Sequence, residues 1–313
     1  MADRSAILRP IMTPSPTAVA RTVVNTVEAS PDVEAVICSW AAERQPAILE
    51  SSRHDKTYGR FSIFACDPVS DFELPAGAAG CPLEHLANAL TACPSSPTPP
   101  PPVPFAGGWI GFLSYEAGLS TERIAHPAWD AAPVPFARFC LYDTVAVHDG
   151  RTGQWYVGGI DWPAGFADKR PPLAQRMRDV RTRLEDAERQ GSSPLQFREA
   201  TATLEPNMSR DAYLAKVAAI RRYIEAGDVY EVNLTRRFTT HTKASAVSLY
   251  RRLRRTDPSS HGALLIGREH SVISSSPELF LQLRAGAVVT RPIKGTRPRT
   301  GDAAIDHSHR IDL

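Results

Sequence analysis

Apolar positions recur at helical spacing over residues 173–190, where Leu173, Met177, Val180 and Leu184 share one face and charges occupy the other, so an amphipathic helix is predicted there. Residues 32–44 and 82–93 also read as helices. Residues 46–65 alternate turn residues with apolar ones and residues 136–148 are β-rich. Asp149-Gly150 followed by residues 154–160 then reads as a turn and its returning strand. Further on, Ser209 suits a helix N-cap and Asp211 the first turn, where the helix dipole favours an acid. Tyr213, Leu214, Val217, Ile220 and Ile224 form the expected buried stripe of that helix, and Gly227 its C-cap. Residues 229–240 read as a strand and 246–255 as a short basic helix. Residues 263–267, 271–274, 279–284 and 287–290 read as successive strands, with tight turns at Arg268-Glu269 and Ala285-Gly286.

Helices segregated from an antiparallel meander predict an α+β fold, antiparallel sheets with helices packed outside, and not a doubly wound parallel sheet. Three breaks punctuate the chain. Residues 94–104 (PSSPTPPPPVP) form a polyproline-type spacer expected on the surface. Residues 158–172 are marked by Gly and Pro. Residues 191–206 set the main boundary, between an N-terminal domain over 1–200 and a second over 201–313. Gly107, Gly108, Gly111 and Gly118 fit tight strand packing, since no phosphate-cradling glycine pattern surrounds them.

Composition narrows the function classes. The chain has 313 residues, 42% apolar and 22% charged, with a net charge of +2. So small an excess gives no general pull toward nucleic acid or membrane, and the scattered arginines read as a solvated surface. Five cysteines without a CxxC pair argue against a disulfide framework or a zinc site and for a reduced, cytoplasmic compartment. Arg9, Pro10, Pro14 and Pro16 interrupt any secretory h-region, and no run approaches the about 20 apolar residues that span a bilayer.

The chemistry concentrates between Ser274 and Arg299. Glu278 stands at a strand start and Lys294 follows one hairpin later, so pairing of the two strands brings both to one end of the sheet. Arg291, Arg297 and Arg299 flank the lysine. Neighbouring cations disfavour a protonated amine and raise its nucleophilic fraction. Guanidinium groups also grip carboxylates, which suits a dianionic substrate. A carboxylic acid beside a neutral lysine makes a general acid and a nucleophile. On the residues alone, the two also read as a surface ion pair of small worth.

SSSPELFL (274–281), RPIKGTRPR (291–299) and GDVYEVNLTRRF (227–238, with Glu231 where relatives usually have Gln) resemble the chorismate-binding enzymes. ILES (48–51), YGRFS (58–62) and FAGGWIGFLSYEAG (105–118) resemble the companion domain of those enzymes. Lysine at 294 points to the aminodeoxychorismate synthase branch, because anthranilate synthases carry Ala there; that sister activity is the alternative. The resemblance implies that Lys294 attacks ring C2 of chorismate, that Glu278 is the general acid and base, and that Arg291, Gly295 and Thr296 contact the substrate. It implies ammonia from a glutamine amidotransferase partner, in p-aminobenzoate and folate synthesis. It further implies a tryptophan pocket formed by Leu49, Ser51, Tyr58, Arg60 and Phe61, which otherwise read as core between sheets.

The resemblance also implies Mg²⁺, but the acidic ligands, the DLxRND-type helix and the GxSITGAPK-like segment that follow in relatives are missing here, and no metal ligand is assigned. A truncated or frameshifted frame is the expectation, with a split enzyme as the alternative, and a catalytically incompetent fragment with an amino-acid-binding domain is the competing function. His307-Ser308-His309-Arg310 reads as an unstructured tail.

Overall fold

The strand Phe61–Ala65 shows how the sheets form. Period-2 alternation sends Phe61, Ile63 and Ala65 to one face and Phe64 to the other, and both faces are covered. Strands covered on both sides can be apolar throughout, which accounts for the runs at 144–149 and 154–161.

The computed structural model describes residues 7–8, 19–53, 59–78, 81–95, 102–120, 134–195, 203–284, 286–293, 295 and 297–312. The strands are β1 (Ile7–Leu8), β2 (Arg21–Val27), β3 (Ala47–Glu50), β4 (Phe61–Ala65), β5 (Ser70–Leu74), β6 (Gly108–Leu113), β7 (Ala137–Tyr142), β8 (Thr144–Asp149), β9 (Gln154–Asp161), β10 (Glu205–Pro206), β11 (Phe238–Thr239), β12 (His261–Ile266), β13 (Ser271–Ser276), β14 (Leu279–Arg284) and β15 (Ala287–Arg291). The helices are α1 (Val33–Trp40), α2 (Pro82–Thr91), α3 (Leu173–Gln190), α4 (Arg210–Ala226), α5 (Ala246–Thr256) and α6 (Ala303–Asp312).

A seven-stranded sheet in the order β13-β12-β3-β4-β8-β9-β2 packs on a four-stranded sheet, β1-β5-β7-β6, and all pairings within them are antiparallel. Helices α1, α3 and α5 cover the outer face of the larger sheet through Trp40, Phe64, Trp155, Leu184 and Tyr250. Tyr142, Val145, Val147 and Leu265 fill the space between the sheets, and α2 covers β5 around Phe72 and Ala89. The fold is α+β, as expected. Strand β12 lies between β3 and β13, so the larger sheet takes strands from both sides of residue 200.

Close packing explains two glycines. A Cβ on Gly111 would stand 2.0 Å from the Arg138 carbonyl oxygen, and one on Gly158 would stand 2.8 Å from Ala106. Gly158 therefore belongs to β9, not to a linker. Gly118, by contrast, has open space where a Cβ would go.

Other expectations change. Helix α4 has the predicted caps, with the Ser209 hydroxyl accepting from Ala212 N–H and Gly227 left-handed at φ 79°, but none of its residues is buried. Caps depend on local chemistry, whereas burial needs a partner element. Of residues 229–240, only Phe238–Thr239 form a strand. The proline run is not wholly on the surface: Pro94 and Val103 are buried at its ends, while residues 96–101 lie outside the described residues. Residues 307–310 are helical, within α6, where the Asp302 carboxylate accepts from Ala304 and Ile305 N–H. Arg138, Arg176 and Arg251 are buried instead of solvated. Arg176, for example, pairs with the buried Asp143 at 2.9 Å, and its guanidinium donates to the Ile160 carbonyl at 3.0 Å.

Candidate functional site

The C-terminal hairpin organises the first group of residues. Strands β14 and β15 pair with Leu279 opposite Arg291, and a register shift between Leu279 and Gln282 follows. Glu278 immediately precedes Leu279, so it stands at the end of the hairpin where Arg291 leads into the Lys294 segment. The turn from β13 into Glu278 is held by Ser276, whose hydroxyl accepts from Glu278 N–H at 3.3 Å. The Thr290 hydroxyl closes the hairpin by donating to the Phe280 carbonyl at 2.6 Å. Glu278, Arg291 and Gly295 are all exposed, whereas Lys294 and Thr296 lie outside the described residues.

Strand β12 reaches the same end. His261 pairs in register with Ser276, and its pKa is lowered, first by burial and then by the positive charge of Arg291. Of the other two arginines, Arg297 is tied to Asp312 at 2.6 Å, and Arg299 lies exposed beside α6. Arg291 and His261 thus approach each other at this end of the hairpin, and Glu278 directly precedes the paired Leu279. His261 was not legible as a member of this group, because its proximity depends on the β12–β13 register.

The second group sits on β3 and β4. Leu49 and Phe61 are partly buried between the two sheets. Ser51 is buried, and its hydroxyl donates to the Ser260 carbonyl at 2.8 Å and lies 3.3 Å from the Phe61 carbonyl. Arg60 forks onto Asp149 through Nε at 3.1 Å and an Nη at 2.7 Å, with its guanidinium carbon 4.6 Å from the Phe61 ring centroid. Burial pushes the Asp149 carboxyl up, but the Arg60 guanidinium and the Arg151 N–H outweigh it and hold the pKa below the ordinary value. Tyr58 lies outside the described residues. Leu49, Ser51, Arg60 and Phe61 therefore come together, and Ser260 and Asp149 join them.

Glu50, inside ILES, turns the other way. Alternation sends it to the helical face, where it accepts from the Tyr250 hydroxyl at 2.6 Å and from Arg254 Nε at 3.0 Å. Arg251 donates to Glu34 beside it at 2.7 Å. The basic run 251–255 was the only sequence signal for this clamp.

Among the described residues, no group of three or more His, Cys, Asp or Glu side chains is placed to hold a metal ion. None of the five cysteines forms a disulfide. Among the described residues, no helix is long and apolar enough to cross a membrane.

SSSPEL runs from the end of β13 into β14, and Arg291, the first residue of RPIKGT, ends β15. The family model described as chorismate binding enzyme matches residues 45–313, and the chain belongs to that family. Aminodeoxychorismate synthase component 1 of Klebsiella aerogenes is 29% identical over 271 residues, 83% of this chain and 56% of that protein. Anthranilate synthase component 1 of Streptomyces coelicolor is 31% identical over 234 residues, 71% of this chain and 43% of that protein. The crystal structure of anthranilate synthase component I from Streptococcus pneumoniae TIGR4 superposes with a TM-score of 0.62 at 24% identity, covering 83% of this chain and 58% of that one. The last of these is a likeness of fold. The chain spans less than two thirds of the length of these relatives.

Proposed function

We propose that this chain is the chorismate-binding component of an aminodeoxychorismate synthase. It would exchange the C4 hydroxyl of chorismate for an amino group, with ammonia delivered by a glutamine amidotransferase partner, in the cytoplasmic synthesis of p-aminobenzoate and folate. The neutral Lys294 amine attacks C2, both ring double bonds shift by one position, and the C4–O bond breaks with its electron pair. Glu278 protonates the departing oxygen, which leaves as water. Ammonia then adds at C4, and the C2–N bond breaks with its electrons returning to the lysine; Glu278 takes up the proton released by the ammonium. Arg291, Gly295 and Thr296 are assigned to substrate binding. Leu49, Ser51, Tyr58, Arg60 and Phe61 are assigned to a tryptophan pocket.

One observation carries the reading: Leu279 faces Arg291 across the hairpin, so the segment leading to Lys294 departs beside Glu278. Names of relatives such as the Klebsiella aerogenes protein support it. The test is an assay of the purified chain with chorismate, ammonia and Mg²⁺, followed by its Lys294→Ala variant. Aminodeoxychorismate formed by the parent and abolished in the variant supports the proposal; anthranilate as the product would overturn it. No turnover together with a saturable tryptophan-dependent thermal shift would instead assign this chain amino-acid binding alone.

A further inference from the structure

Helix α3 packs on β9 and β8, and beside it the outer face of edge strand β2 forms one wall of a groove of about 390 Å³. Its floor is apolar: Val23 from β2, with Leu173 and Met177 from α3. Its rim is cationic, with Arg21, Arg178 and Arg181. The acid on the rim, Asp161, is already paired with Arg21 at 3.1 Å. Three cations against one carboxylate leave the groove with an excess of positive charge.

Arg178 and Arg181 are three apart on one helix, where side chains become neighbours and like charges repel. Among the described residues, neither has an ion-pair or hydrogen-bond partner, and Arg181 Nε is buried with no acceptor. A buried donor without an acceptor is uncommon in folded proteins. The size falls within the range of small-molecule sites, and an apolar floor with a few convergent polar groups is their usual character.

We propose that this groove binds a small amphipathic carboxylate. The carboxylate bridges Arg178 and Arg181, relieving their repulsion, and the hydrocarbon body lies on Val23, Leu173 and Met177. The site is independent of the chorismate chemistry proposed above, which lies at the hairpin of β14 and β15.

Calorimetric titration of the full chain with hexanoate, hexanamide and inorganic phosphate tests this. Saturable hexanoate binding is expected, with hexanamide and phosphate each at least tenfold weaker. The double variant Arg178→Gln/Arg181→Gln should weaken hexanoate at least tenfold while unfolding at the parent temperature. Arg291→Gln should leave hexanoate binding unchanged. Absence of saturable hexanoate binding overturns the proposal, as does undiminished binding by the double variant. Phosphate binding as tight as hexanoate overturns it too, because the apolar floor would then play no part. If the double variant fails to fold, Asn25→Glu, which puts a carboxylate on the exposed strand wall of the groove, must reduce hexanoate binding by the same factor.

Discussion

The hydroxyl of Tyr250 donates to Oε2 of Glu50 at 2.6 Å, joining residues 200 positions apart. Arg254 grips the same carboxylate, and Tyr250 and Glu50 are both buried. Burial and the neighbouring Glu50 carboxylate push the Tyr250 hydroxyl well above its ordinary pKa, so it remains a donor throughout the physiological range. This clamp fastens α5 to the strand that carries Leu49 and runs into Ser51.

Removing one member of such a cluster leaves the others buried and uncompensated. Arg254→Ala should therefore lower the unfolding free energy by about 3 kcal/mol, and Tyr250→Phe by about 1 kcal/mol. Urea unfolding at neutral pH measures both. If Arg254→Ala proved as stable as the parent, the clamp would be ornamental.

Asp149 and Arg60 give a dependence on acid. The folded-state pKa of Asp149 lies below its unfolded value, so its contribution is fully present above the unfolded pKa of about 3.9 and is lost as pH falls through the lower folded value. Asp149→Asn should be less stable than the parent at pH 7, and the gap should close toward pH 2. A gap that stayed constant across that range would contradict the ion-pair origin.

Arg291 and His261 report on how the hairpin lies against β12. Burial lowers the His261 pKa and the Arg291 charge lowers it further. Arg291→Gln should raise the His261 midpoint in an NMR titration, while Arg299→Gln should not. An unchanged midpoint in Arg291→Gln would place the hairpin end away from β12.

Much of the local structure could be read directly. Helix α3 runs over Leu173–Gln190 as predicted, with Leu173, Met177, Val180 and Leu184 buried. The hairpin of β8 and β9 forms around Asp149-Gly150, and Ser209 and Gly227 cap α4. Each depends on side chains a few residues apart. Burial was less legible. The stripe of α4 has the right period but no residue of it is buried, and Arg251 looked like a surface charge until Glu34 received it. In the candidate sites, the pairing of β14 with β15 was foreseeable from two strands joined by a tight turn, whereas Asp149 and Ser260 arrive through contacts far apart in sequence.

The sequence by itself determined most element types, the caps of α4, the α+β class and the motif set that places the chain among chorismate-binding enzymes, because periodicity, turn chemistry and motif spacing are local properties. Only the tertiary structure decided that β12 enters between β3 and β13, that Glu50 turns to α5 while Leu49 turns inward, and that His261 meets the charge of Arg291. Those outcomes depend on strand order and register, and a one-residue slip would exchange every inward side chain for its outward neighbour.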